Sequence, residues 1–318
     1  MVLRLTMRAC VVADKSVRVE ERPDPVPGAG EVLVRVRAAG LNGADLEQMR
    51  GRYPAPPGSP PDIPGLEFAG EVIECGPGAE RFSAGERVMG VVGGGGQAEL
   101  ITVHERVAMP VPAALDWVAA GGLPETFSTA YDALFTQAGL AAGEKLLING
   151  GAGGVGTAAI QLARAAGAWV ATTIRHAQLQ DKVAALGATV VTSDDLTEAG
   201  PFDVVLELVG APNLPSDLQA LAVGGRICVI GVRAGATAEL NARWLMKKRG
   251  RIHGSTLRAR PLEEKALVAR LIEKHVLPNF DEGKLHVEVD STFPLEKVRD
   301  AYEYFAQGGK LGKIVLTL

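Results

Sequence analysis

Cysteine is scarce in this sequence. Cys10, Cys75 and Cys228 lie far apart among 318 residues, their number is odd, and no Cys-x-x-Cys occurs. That excludes a disulfide framework and a thiolate zinc knuckle, and it suits a reducing, cytoplasmic setting. Aromatics make up only 5% of the chain, too few for base-stacking platforms. There is no excess of basic charge: 33 Lys and Arg stand against 37 Asp and Glu, a net charge of −4. A nucleic-acid partner is therefore not expected. No apolar run approaches the ~18 residues of a membrane helix, so no membrane association is expected either. The opening Met1-Val-Leu-Arg-Leu-Thr-Met-Arg8 is too short and too charged for a secretory signal. Strand-like residues begin at Met7, which leaves Met1 and Met7 both open as the start.

Glycine, by contrast, is abundant: 39 residues, well above the usual ~7%. The hydrophobic fraction is 47%, the globular norm. At roughly 150 residues per domain, the length fits about two domains.

Residues 7–110 read as short strands separated by turns. Glu31–Arg37 alternates Val32, Val34 and Val36 with polar neighbours; Ala69–Glu74, Arg87–Val92 and Glu99–Val103 follow. Tyr53–Pro64 holds six prolines and must be a loop over this barrel-like β unit. From about residue 112 the pattern changes. Ala113–Ala120 and Thr126–Ala138 look helical. Strands at Lys145–Asn149, Trp169–Ile174, Thr189–Thr192, Val204–Val209 and Arg226–Gly231 then alternate with helices at Gly154–Ala166, Leu179–Leu186 and Asn213–Leu221. Alternating β and α with near-continuous apolar strands predicts a doubly wound parallel sheet. A helix near 262–276 and a strand at Lys313–Leu318 close the chain. The predicted class is α/β, with one domain over 1–122 completed by 273–318, and a second over 123–272.

The strongest motif is the strand Lys145–Asn149 running into Gly151-Ala152-Gly153-Gly154-Val155-Gly156 and then a helix. In this strand–turn–helix context Gly-x-Gly-x-x-Gly is a dinucleotide fingerprint. The first glycine makes the turn, the second admits the pyrophosphate, and the third lets helix and strand pack closely. About 20 residues on, the second strand ends at Thr172-Thr173-Ile-Arg175-His176. An NAD site would carry a carboxylate there. Arg175 stands in its place and suits the 2′-phosphate of NADPH. Val209-Gly210 and Gly231-Val232 end two further strands, where ligands of such sheets bind.

The whole set resembles the medium-chain dehydrogenase/reductase superfamily, in its zinc-free quinone oxidoreductase branch. The resemblance rests on Ala39-Gly-Leu-Asn42-Gly-Ala-Asp45, Gly65-Leu66-Glu67, Thr129-Ala-Tyr131, the glycine turn, Gly254-Ser-Thr-Leu-Arg258, Leu277-Pro-Asn-Phe280 and Gly312-Lys313-Ile-Val-Leu316. It implies a GroES-like β-barrel catalytic domain beside a Rossmann NADP-binding domain. Zinc-dependent relatives need Cys or His near position 42 and His at 66; here Asn42 and Leu66 stand there, and the four-cysteine lobe is missing. No metal is therefore expected.

The same resemblance places Asn42, Asp45 and Tyr53 beside the nicotinamide, Thr129 on the cofactor side, and Lys313 at a cofactor phosphate. Each also has an ordinary structural reading: a strand-end turn for Asn42, an N-cap for Asp45, a loop anchor for Tyr53, helix packing for Thr129, a solvated lysine for Lys313. The implied activity is hydride transfer from NADPH to a quinone or other conjugated carbonyl, in a cytoplasmic homodimer. Alternatives are an enone, enal or enoyl double-bond reductase, and an NADPH-binding sensor or structural protein with little turnover.

Overall fold

The computed structural model describes residues 6–318. The choice between Met1 and Met7 turns on Met1–Leu5, outside the described residues. In chain order the strands are β1 (Thr6–Ala13), β2 (Ser16–Pro23), β3 (Glu31–Gly40), β4 (Glu67–Cys75), β5 (Arg87–Val91), β6 (Leu100–His104), β7 (Ala108–Pro110), β8 (Lys145–Asn149), β9 (Trp169–Thr173), β10 (Thr189–Val190), β11 (Phe202–Glu207), β12 (Leu221–Val229), β13 (Arg251–Gly254), β14 (Val289–Pro294) and β15 (Lys313–Thr317).

The chain divides into two units. One comprises Met1–Ser128, Leu257–Gly308 and Lys313–Leu318; the other comprises Thr129–Thr256 and Gly309–Gly312. The sequence places the divisions at 122/123 and 272/273. The second differs because the helix Leu262–His275 buries Ala266, Val268, Ala269 and Ile272 and packs on β7, inside the first unit. The short return Gly309–Gly312 joins the second unit, where Gly312 N–H donates to Ala152 O at 2.8 Å.

In the first unit β1 and β2 form an antiparallel hairpin, and seven strands form a sheet in the order β14-β15-β3-β4-β5-β7, with β6 also pairing β3. The alternation in β3 does what its pattern predicts. Val32, Val34 and Val36 are buried against Phe68, Val72, Val88, Ile101 and Val103. Each such side chain contributes about 1.5–3 kcal/mol by leaving water. The stretch 53–64 has neither helix nor strand.

The second unit carries a six-stranded parallel sheet ordered β10-β9-β8-β11-β12-β13. Its apolar core includes Leu147, Ala171, Phe202, Val205, Leu218 and Ile227. Leu146, Leu147 and Ile148 of β8 are all fully buried, as expected for a strand covered on both faces. Strand order reverses between β8 and β11. Ligands of doubly wound sheets bind outside the strand ends at such a point.

Several boundaries move for identifiable reasons. The helix expected from Ala113 begins at Trp117, because the Asp116 side chain accepts the Ala119 N–H at 2.8 Å and caps it. The helix expected over Thr126–Ala138 is α-helical for Pro124–Tyr131 and then widens to a π-helix over Asp132–Gln137. The strand expected to Val209 ends at Glu207, whose own side chain takes up the next amides. Cys228 is buried, whereas Cys75 is exposed at the end of β4.

Candidate functional site

The glycine turn joins β8 to the helix Gly154–Ala165, with Gly153 in extended conformation at its N-cap. The first amides of any helix lack intrahelical acceptors, so this end is suited to an anion. A Cβ built on each glycine separates their roles. On Gly151 it would meet Thr172 Oγ1 at 2.1 Å, and on Gly156 it would meet Gly150 O at 2.4 Å. Both positions are closed by the protein itself. On Gly153 it would meet only Gly150 O, at 3.7 Å. Among the described residues nothing else comes within 4 Å of that position, which leaves the turn open for a pyrophosphate over Gly153. The residues thus fit a dinucleotide, on the geometry of the turn as well as its spelling.

The other predicted cofactor residues of this unit gather at the carboxyl ends of the strands. Thr173 ends β9, and its hydroxyl donates to Asn149 Oδ1 at 3.0 Å. Arg175, two residues on, is exposed and makes no ion pair or side-chain hydrogen bond among the described residues. Its guanidinium is therefore available to a phosphate. Val209 and Gly210 follow β11, and both of their N–H groups donate to Glu207 Oε1, at 2.6 and 2.7 Å. Gly231 is held close, since a Cβ there would lie 2.2 Å from Leu208 O. Val232 is 52% exposed. Thr129 is buried on the helix Pro124–Tyr131.

In the first unit the predicted residues form a closed polar cluster. Asn42 caps the helix Gly43–Met49. Asp45, at the third helical position, accepts the Asn42 N–H at 2.8 Å and the Gly65 N–H at 2.9 Å. It thereby ties the helix to the Gly65-Leu66-Glu67 segment. Burial pushes its carboxyl up to about 6, against the pull of those two amides. The Asn42 side chain is committed at both ends: Nδ2 donates to Glu67 Oε1 at 2.9 Å, and Oδ1 accepts from Lys313 Nζ at 2.7 Å.

Lys313 is where the structure departs most from the resemblance. Its ammonium is buried and donates to Leu41 O at 2.7 Å, to Asn42 Oδ1, and to Glu67 Oε1 at 2.5 Å. All three hydrogens are directed inside the first unit, where the resemblance expects a cofactor phosphate. A buried, fully hydrogen-bonded pair of this kind fixes geometry more than it adds stability. Glu67 Oε2 also accepts the Glu125 N–H at 2.9 Å. Leu66 is buried, and among the described residues no group of three or more His, Cys, Asp and Glu side chains is placed to hold a metal ion.

Tyr53 stands at the start of the Pro-rich loop. Its backbone carbonyl accepts from Arg258 Nη1 at 3.2 Å, and the Arg258 guanidinium lies 5.0 Å from its ring centroid. Arg258 also donates to Gly93 O and Gln48 Oε1. The Tyr53 hydroxyl has no hydrogen-bond partner among the described residues. Burial raises its pKa, so at neutral pH it is a donor.

Glu67, Glu207 and Arg258 organise these sites; the sequence alone offers Arg258 as a cleft-lining residue and assigns the two carboxylates no such role. Glu67 and Glu207 carry a legible signal all the same. Each is a carboxylate on a strand whose other residues are mostly apolar and buried, and a buried charge requires partners.

Comparison with known proteins agrees with this geometry. Residues 28–113 match the alcohol dehydrogenase GroES-like domain, and residues 180–316 match the family described as zinc-binding dehydrogenase. The chain is 33% identical over 306 residues to the quinone oxidoreductase of Rattus norvegicus, covering 92% of this chain and 91% of that one. It is also 33% identical over 295 residues to a polyketide synthase of Streptomyces halstedii, covering 91% of this chain but 5% of that one. A crystal structure of an alcohol dehydrogenase superfamily protein from Novosphingobium aromaticivorans superposes with a TM-score of 0.86 at 29% identity, covering 98% of this chain and 100% of that one. Among the described residues no helix is long and apolar enough to cross a membrane. The chain belongs to the medium-chain dehydrogenase/reductase superfamily, as an oxidoreductase related to the quinone oxidoreductases and acting with a nicotinamide cofactor on a small molecule.

Proposed function

We propose that the protein reduces quinones and related conjugated carbonyls with NADPH and without a metal, as a cytoplasmic homodimer. When bound, NADPH supplies a hydride from its nicotinamide ring. The observation that carries the metal-free reading is the Lys313 ammonium against Glu67 Oε1 and Asn42 Oδ1. The oxygens nearest the zinc-ligand position already serve a fixed buried cation. A divalent ion there would face unscreened repulsion, and Leu66 offers it no ligand. A simple alcohol or ketone loses several kcal/mol of help without a Lewis acid. A quinone needs less, because its own π system spreads the incoming charge.

In this reading the chain's residues bind and orient rather than react covalently. The helix start at Gly153 and the Arg175 guanidinium hold the cofactor phosphates. The Tyr53 hydroxyl donates a hydrogen bond to the acceptor oxygen, and the proton that completes reduction comes from Tyr53 or from solvent. Asp45 and Lys313 hold Asn42 and the Gly65–Glu67 segment in place. Exposed Val223, Leu240, Trp244 and Met246 of the second unit give the dimer an apolar surface to cover.

The test is NADPH oxidation against a panel of quinones, enones and enals, with metal analysis of the same sample. Quinone turnover retained in chelator, with no stoichiometric zinc, is the expected result. One tightly bound zinc per chain, lost together with activity, would overturn it. A second reading, reduction of an activated carbon–carbon double bond, is favoured by the equal identity to a polyketide synthase segment; the same panel separates the two.

A further inference from the structure

Behind the strand ends of the second unit lies a buried polar cluster that touches no ligand in the mechanism above. Glu207, Asp217 and Asn149 are almost wholly buried. The Asn149 amide nitrogen donates one hydrogen to Glu207 Oε2 and one to Asp217 Oδ1, both at 2.7 Å. Two carboxyl groups are thus drawn to one nitrogen in a dry interior. The second Asp217 oxygen, Oδ2, is buried and has no hydrogen-bond partner among the described residues. Two neighbouring carboxylates are not both ionised in such a place, so the pair holds one proton at neutral pH. Burial, and then the charge of Glu207, push Asp217 up to about 8. Among the described residues, Glu207 is the charged group that acts on it. The groups reaching in from β8, β9 and the segment after β11 are Asn149, Thr173 and Asn213, all neutral.

What this cluster holds is more telling than its chemistry. Glu207 accepts four hydrogen bonds besides the shared proton: from Val209 N–H, Gly210 N–H, Asn149 Nδ2 and Asn213 Nδ2. Asn149 is the residue before the glycine turn, and its Oδ1 holds Thr173 at the end of β9, two residues before Arg175. Val209 O accepts the Ala234 N–H at 2.9 Å, carrying the constraint to the loop after Val232. All the strand-end segments predicted to meet the cofactor therefore lead back to one carboxylate.

We infer that Glu207 is the positioning residue of the nucleotide site, and that Asp217 serves it by carrying the proton that lets both carboxyls remain buried. The inference rests on the dinucleotide reading of this unit. Loss of the shared proton would put two negative charges behind the loops and loosen them. Asp217→Asn reproduces the protonated form, since its amide donates where the proton did. Glu207→Gln cannot reproduce Glu207. With its oxygen toward the Val209 and Gly210 amides, its NH2 faces the donors of Asn149 and Asn213.

The experiment measures NADPH Kd from pH 7 to 9.5 for the full-length protein and both variants, with amide hydrogen exchange over 206–214 across the same range. In the wild type, Kd should rise about tenfold through pH 8, and the protection of these amides, taken relative to their intrinsic exchange rate at each pH, should fall in step. Asp217→Asn should bind as the wild type does at pH 7 and lose the pH dependence. Glu207→Gln should bind about tenfold more weakly at every pH, with KM for NADPH moving more than kcat. A pH-independent wild type, an Asp217→Asn variant that keeps the alkaline loss, or a Glu207→Gln variant with wild-type Kd and exchange would each overturn the inference. The wild-type exchange profile needs no substitution. If the wild type binds neither NADPH nor NADH, the dinucleotide reading fails, while the exchange profile still decides whether the carboxyl pair holds the loops.

Discussion

The two units use polar side chains in opposite ways. In the first, Asn42, Asp45 and Lys313 satisfy one another and Glu67 inside the fold, while the Tyr53 hydroxyl has no hydrogen-bond partner among the described residues. In the second, the groups available to a ligand are the helix start at Gly153 and the exposed Arg175, while the buried carboxyls stand one layer behind. The counter-charges differ too: Glu67 is balanced by an ammonium, Glu207 by amides and a shared proton. A motif residue is therefore not by that fact a ligand contact. In the buried cluster of the first unit a substitution should strike folding, and at the turn and Arg175 of the second it should strike binding.

The comparison is broken most directly at Lys313. Lys313→Met leaves Glu67 buried without its cation and should cost about 3–5 kcal/mol of stability, read as a fall in Tm. NADPH affinity of the folded fraction should change little. A large loss of affinity at unchanged Tm would return Lys313 to the cofactor. Gly153→Val is the mirror case. It fills the open space over the turn and should weaken NADPH binding by about 100-fold or more, with Tm nearly unchanged. Unaltered affinity would show that the pyrophosphate lies elsewhere.

Arg175→Ala sharpens the second half of the contrast. It should lower kcat/KM for NADPH by about 10- to 100-fold and leave NADH nearly untouched. The NADPH preference of the wild type should also shrink with added salt. Equal losses for both cofactors would make Arg175 structural. The smallest effect is expected at Tyr53, where Tyr53→Phe should lower kcat with quinones by about 3- to 30-fold. A fall of about 10⁴ or more would make Tyr53 an essential general acid instead.

The pH dependence of stability follows from the buried acids. Asp45 is raised to about 6 and Asp217 to about 8. A carboxyl raised by folding contributes its stability in full below its unfolded pKa and loses it as pH rises through the folded value. The Asp45 share should therefore fade between about pH 4 and 6, and the Asp217 share between about pH 4 and 8. Chemical denaturation across that range should show stability declining from this source, and Asp217→Asn should flatten the upper part.

Legibility in the sequence followed the range of the forces involved. The apolar strands of the second unit and the alternation of β3 were readable because burial writes a period into neighbouring residues. The helix Val298–Gln307 and the strands β13 and β14 were not picked out. Both strands are short and have no buried residue to mark them. The end of β11 was misplaced by two residues because a local side-chain contact, Glu207 to the next amides, overrides strand propensity.

By itself the sequence determined the α/β class, the Rossmann unit beside the GroES-like one, the glycine turn and the superfamily. The class and the glycine turn rest on local spacing and on hydrophobic period, which the chain carries wherever it folds; the GroES-like unit and the superfamily rest on the resemblance that its motifs carry. Only the tertiary structure decided what the polar residues do. Lys313 lies 271 positions from Asn42, and Asp217 lies 68 from Asn149. No local pattern predicts that such distant groups will satisfy one another. Whether a charged side chain meets a ligand or a buried partner depends on which of them folding brings within a hydrogen bond.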